Sequence, residues 1–105
     1  MGEISVQDLA QWLASKHEFV LLDVREPPEI EFAALPGAVH IPMGQIVARL
    51  NELDPNDEIA VLCHFGTRSE HVAGFLTQRG FGRVHNVEGG IDEYALRIDP
   101  SLPRY

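Results

Sequence analysis

The sequence predicts an α/β fold built on a mainly parallel sheet, and three observations predict it. Two apolar, β-prone runs, Phe19-Val20-Leu21-Leu22 and Ile59-Ala60-Val61-Leu62, are continuous rather than alternating, as in strands buried on both faces. Segments of helical spacing separate such runs, which is the strand–helix order of a parallel sheet. The single cysteine, Cys63, ends the second run, where open parallel sheets bind their ligands.

The elements follow in order. Leu9, Trp12 and Leu13 recur at helical spacing, and Ser5 with Asp8 resembles a capping box. The Phe19 run reads as a strand ending in Asp23-Val24-Arg25, and Glu26-Pro27-Pro28-Glu29 starts a short helix with proline in its first turn. Leu35-Pro36-Gly37-Ala38 is a turn and Val39-His40-Ile41 a short strand. Met43 to Leu50 has helical spacing through Ile46, Val47 and Leu50, and Asp54-Pro55-Asn56-Asp57 is a turn. The strand from Ile59 to Cys63 leads through a polar loop to a helix near Ser69, with Val72, Ala73, Phe75 and Leu76 inward and Gly80 as its cap. Val84-His85-Asn86-Val87 is the last strand, followed by Glu88-Gly89-Gly90 and a short helix.

With 105 residues, 45% of them hydrophobic, the chain suits one compact domain over 1–105. Its apolar runs are too short for a membrane helix, and its first residues lack the pattern of a signal peptide. One cysteine forms no internal disulfide, and the five histidines lack zinc-ligand spacing. These features point to a cytoplasmic protein without metal or cofactor, and a monomer is the default for a small acidic domain. The net charge of −8 would repel nucleic acid and anionic membranes.

The loop Cys63-His64-Phe65-Gly66-Thr67-Arg68-Ser69 carries the chemistry. A thiol above a helix N-terminus meets backbone N–H groups that have no partner within the helix. These donors favour negative charge, so the thiol ionises more readily and the loop holds an anion. A lone cysteine is more often a small buried hydrophobe, but this one ends a strand and should point toward the loop. Gly66 lets backbone approach a ligand, and Arg68 stands where the helix begins. Arg68 either holds substrate oxygens and favours the thiolate, or pairs with a carboxylate such as Asp23 or Glu26. His64 is a hydrogen-bond donor to an anion or a solvent-facing histidine, and Phe65 an apolar wall or docking contact. Thr67 and Ser69 offer hydroxyls to the loop anion or cap the helix. Asp23 and Arg25 buttress the loop or form a structural ion pair, while His71 is a structural or surface residue.

This loop resembles the C-x-x-G-x-R-S active-site loop of rhodanese-like sulfurtransferases. The similarity extends to Leu21-Leu22-Asp23-Val24-Arg25-Glu26-Pro27, to Pro36-Gly37-Ala38 with Ile41-Pro42, and to Gly80-Phe81. Val87-Glu88-Gly89-Gly90-Ile91 matches the family's closing part, and Asp99-Pro100-Ser101-Leu102-Pro103-Arg104-Tyr105 is similar to the tail of bacterial members. The resemblance implies a rhodanese-like α/β domain, with a central, mainly parallel five-stranded sheet flanked by helices. It implies that Cys63 is the nucleophile and Arg68 its catalytic partner, with His64, Phe65, Gly66, Thr67 and Ser69 binding substrate. Sulfane sulfur would pass from thiosulfate or a protein persulfide to cyanide, a thiol or a protein cysteine. Two positions depart from the family pattern: Ala33-Ala34 replace a frequent Gly-His pair, and Tyr94 stands where tryptophan is usual.

Related phosphatase loops read C-x5-R, whereas four residues separate Cys63 from Arg68. The smaller ring suits one terminal sulfur better than a phosphoryl group. With no second cysteine, a persulfide on Cys63 must leave to an external acceptor. The rival from another class is a non-catalytic docking module of the same fold. Such modules commonly lack the cysteine that this chain keeps.

Overall fold

The structure is a computed structural model that describes residues 1–105. In chain order the strands are β1 (Gly2–Ile4), β2 (Val20–Asp23), β3 (Val39–His40), β4 (Glu58–Leu62) and β5 (Arg83–Val87). The helices are α1 (Val6–Ala14), α2 (Pro27–Phe32), α3 (Thr67–Gln78) and α4 (Gly90–Arg97). All strand pairings are parallel, in the order β1-β5-β4-β2-β3, so β4 is central and carries Cys63 just past its carboxyl end.

Side-chain alternation along the strands divides the core between the two faces of the sheet. Ile59, Val61 and Cys63 join Leu22, Val24 and Val84 under α3 residues Val72, Ala73 and Leu76. Ala60 and Leu62 face the other way, with Leu21, Val87, Leu9 of α1 and Ile91 of α4. Tyr94, at the position where the family favours tryptophan, is a buried member of this second cluster.

Local rules explain most element ends. Ser5 caps α1 through a reciprocal box, its Oγ accepting from Asp8 N–H at 3.0 Å while Asp8 Oδ2 accepts from Ser5 N–H. The end of α3 is a Schellman cap: Gly80 takes φ +92°, its N–H bonds Thr77 O, and Phe81 N–H bonds Leu76 O.

The structure differs from the sequence expectations in three places. Gly2–Ile4 forms an edge strand on β5, although three mixed residues show no strand period of their own. The segment from Met43 to Leu50 forms no α-helix but two 3₁₀ turns, Met43–Gln45 and Leu50–Glu52, which tuck Ile46 and Leu53 into the core. The third difference concerns Leu13, which lies mostly on the solvent side of α1, while Val6 and Leu9 are its buried residues.

Candidate active site

The site grows from the junction of β4 and α3. Gly66 holds φ +101° as the residue before α3, and a Cβ there would meet Gly89 N at 3.2 Å. A side chain is therefore disfavoured twice, by the left-handed backbone and by the close approach. Gly66 N–H donates to Cys63 Sγ at 3.1 Å. The N–H groups of Thr67, Arg68 and Ser69 form the first turn of α3, and no carbonyl of that helix can accept from them.

A second helix start fixes the loop from below. Ile91 N–H donates to Cys63 O at 2.9 Å and Asp92 N–H to His64 O at 3.1 Å, so the N-terminus of α4 holds both carbonyls. Gly90, at φ +62°, makes this possible, because a Cβ there would collide with the same two carbonyls. Turning the carbonyls toward α4 leaves the N–H side of the loop for the sulfur.

Cys63 is more enclosed than the sequence suggests. Its residue is 1% exposed and counts among the core residues, because the strand alternation that buries Ile59 and Val61 buries Cys63 too. The sulfur still meets polar groups: besides Gly66 N–H, it lies 3.3 Å from Ser69 Oγ. Ser69 is fully buried, and its hydroxyl donates to Asn86 Oδ1 of β5.

Arg68 does not pair with Asp23 or Glu26. Its Nη1 and Nη2 donate to Oε2 and Oε1 of Glu29 on α2, at 2.8 and 2.7 Å. The arginine hydrogen bonds pull the Glu29 carboxyl down to about 2, against the opposing effect of burial. The hydrogen bonds to the same carboxylate raise Arg68 above its ordinary value despite burial. Asp23 bonds Arg25 instead, in a pair without solvent exposure. Arg25 also donates to Ala33 O, Glu29 O and Tyr105 Oη, so one guanidinium ties β2, α2 and the C-terminal tail together. Burial opposes the charge on Arg25, but its hydrogen bonds to Asp23 and Tyr105 outweigh it and raise its value.

His64 lies between two aromatic rings, stacked on Phe65 at 3.8 Å and on Tyr105 at 3.7 Å between centroids. Its Nε2 is buried and has no hydrogen-bond partner within the protein. Phe65 is 60% exposed, which sets an apolar ring at the mouth of the loop. Thr67 is exposed at the helix start, and His71 lies on the surface of α3. A cleft of about 310 Å³ beside Phe65 and Gly66 is rimmed by Glu3, Glu70 and Glu88.

The structure thus gathers Cys63, Gly66 and Ser69 around one sulfur, and sets Arg68 one step away on Glu29. Glu29, Asn86 and Tyr105 are site neighbours that motif reading does not supply. Asn86 alone had a usable signal, since it shares the parity of Val84 on β5 and so faces α3.

A thiol at the end of the central strand of a parallel sheet, under a helix N-terminus, defines an α/β protein with a cysteine-centred loop. The chain belongs to the rhodanese-like domain family, whose model matches residues 5–97. It is similar to a protein named sulfurtransferase from Allochromatium vinosum, 36% identical over 95 residues, covering 90% of this chain and 89% of that one. It is 45% identical over 97 residues to YrkF of Bacillus subtilis (strain 168), covering 92% of this chain but 52%, about half, of that relative. The crystal structure of a rhodanese-like domain protein from Staphylococcus aureus superposes with a TM-score of 0.86 at 30% identity, covering 100% of this chain and 99% of the other. The all-parallel five-stranded sheet is the fold shared with that structure. The named relatives support a sulfurtransferase role in general terms.

Proposed function

We propose that this chain is a rhodanese-type sulfurtransferase that carries sulfane sulfur as a persulfide on Cys63. The placement of that sulfur carries the reading: it lies under the first turn of α3, with Gly66 N–H upon it at 3.1 Å. The Cys63 thiolate attacks the outer sulfur of a donor such as thiosulfate. As the new S–S bond forms, the donor S–S bond breaks, and sulfite leaves with the electron pair. The product, Cys63-S-S⁻, bears its charge on the outer sulfur, where fixed N–H dipoles of the loop stabilise it. An acceptor (cyanide, a small thiol or a protein cysteine) then takes that sulfur and returns the Cys63 thiolate.

The roles divide along the loop. Gly66, Thr67 and Ser69 cradle the sulfur, while His64 offers its unpartnered Nε2 to a bound anion. Arg68 contributes positive potential from its place on Glu29 rather than as a free clamp. Phe65 gives a partner protein an apolar contact. The acidic cleft rim and the net charge of −8 disfavour a free dianion such as thiosulfate. A protein persulfide is accordingly the better donor.

The test is intact mass after incubation with thiosulfate or with a protein persulfide, using Cys63→Ser as control and a cyanide chase. One added sulfur on the wild type alone, removed by cyanide, is the expected result. Failure with both donors would overturn the reading in favour of a docking module that uses the Phe65 face.

A further inference from the structure

The parallel register aligns Asn86 of β5 with Val61 of β4, on the face shared by Cys63 and α3. The amide of Asn86 is 4% exposed and every polar atom of it is engaged. Nδ2 donates to Gly66 O at 3.2 Å and to Glu3 Oε2 at 3.1 Å. A carbonyl and a carboxylate only accept, so the NH₂ end must face them and the oxygen end must face Ser69. Ser69 has one proton, which it gives to Asn86 Oδ1. The contact of 3.3 Å between Ser69 Oγ and Cys63 Sγ then has a single consistent direction, with the thiol donating and the hydroxyl accepting.

We propose that Asn86 is a positioning residue that turns the Ser69 hydroxyl away from the sulfur and so favours the neutral thiol of Cys63 in the resting protein. This rests on the reading of Cys63 as the reactive thiol. When the sulfur becomes an anion, an accepting oxygen beside it is unfavourable. The Ser69 proton must then turn to the sulfur and leave Asn86 Oδ1 without a donor. Glu3 and Gly66 hold the amide against the flip that would relieve this. Asn86 and Glu3 thereby set how readily the resting cysteine ionises.

The charged and titratable groups that surround the sulfur include Arg68 and His71 on α3, Glu29 on α2, and Asp23 and Arg25 at the end of β2. They also include His64 on the loop, Asp92 at the start of α4, Tyr105 in the tail, and Glu3, Glu70 and Glu88 at the cleft. None of them contacts Ser69 Oγ, whose hydrogen-bond partners are Cys63 and Asn86. A double-mutant cycle can therefore separate the hydroxyl's direction from the field of these charges.

The experiment follows the ultraviolet absorbance of the thiolate against pH in the wild type, Asn86→Ala, Ser69→Ala and the double variant. Asn86→Ala frees the hydroxyl to donate to the sulfur anion, so the titration moves to lower pH, with about tenfold more thiolate at a given pH below the midpoint. In the Ser69→Ala background the same substitution changes the thiolate fraction by less than about twofold. An equal shift in both backgrounds would show that Asn86 acts only by pinning Gly66, and would overturn the proposal; so would no shift in a folded Asn86→Ala. If Asn86→Ala does not fold, Glu3→Ala enters the same cycle. It removes one anchor of the amide from an exposed residue, and about a threefold change is expected, again only with Ser69 present. Sulfur loading is read separately by mass. An intact cycle without loading supports the Asn86 assignment while removing the sulfur-transfer reading, and loading without a cycle does the reverse.

Discussion

Arg68 and Glu29 meet as a bidentate pair across 39 residues of sequence, at 2.8 and 2.7 Å, and so fasten the cysteine loop to α2. Glu29 also accepts from Glu26 N–H at 2.8 Å and from Tyr105 Oη at 3.0 Å. One carboxylate thus receives the start of its own helix, the loop arginine and the tail. An arginine held in this way keeps its charge near the sulfur.

Glu29→Gln should therefore destabilise the fold by about 1–2 kcal/mol near neutral pH, the scale of a partly buried charge-assisted pair. The folded protein lowers the Glu29 carboxyl from its ordinary 4.5 to about 2. A lowered carboxylate stabilises fully above its unfolded value and loses that contribution as pH falls through the folded one. The stability difference between wild type and variant should accordingly shrink between about 4.5 and 2, as followed by urea denaturation at several pH values. A gap that stays constant through this window would contradict the pairing.

Asp23 and Arg25 make a stronger prediction. Both side chains are 0% exposed, so Asp23→Ala leaves a buried guanidinium without its counter-charge. The expected loss is about 3–5 kcal/mol, the cost of breaking rather than replacing a buried pair. Replacing both residues by apolar ones of similar size should recover part of it. Chemical denaturation of the two variants checks the order.

Gly90 should tolerate no side chain. At φ +62°, and with the carbonyls of Cys63 and His64 where a Cβ would go, Gly90→Ala combines backbone strain with a collision. A loss of more than about 2 kcal/mol is expected. Sulfur loading in the folded fraction should fall as well, because Ile91 and Asp92 can no longer hold the loop. Gly74, where a Cβ would meet nothing within 4 Å, is the control, and Gly74→Ala should be neutral or slightly stabilising.

Tyr105 can be dissected into its ring and its hydroxyl. Tyr105→Phe keeps the stack on His64 but removes bonds to Arg25 and Glu29, at a cost of about 1 kcal/mol. Tyr105→Ala removes the ring too and should cost about 1 kcal/mol more. Thermal denaturation gives both numbers, and proteolysis of the tail should accelerate in the alanine variant.

Whatever depends on neighbours along the chain was legible in the residues alone. Continuous apolar runs marked β2 and β4, Ser5 and Gly80 marked helix ends, and the spacing from Cys63 to Ser69 marked the strand–loop–helix junction. These are local preferences of backbone and side chain, and here the tertiary packing agrees with them. What lies across the sheet came from tertiary packing instead. It recruited Gly2–Ile4 as an edge strand, because pairing with β5 supplies hydrogen bonds that three residues cannot make alone. It tightened Met43–Leu50 into 3₁₀ turns, because the core needed Ile46 and Leu53 more than a regular helix. It gave Arg68 to Glu29 rather than Asp23, since Arg25 already occupies that carboxylate at 2.7 Å. It also buried Cys63 and set Asn86 behind Ser69, because the parity of adjacent parallel strands is fixed by register and not by sequence distance. The chemistry of the loop is local, whereas the groups that tune it are non-local, and their positions follow from sheet pairing.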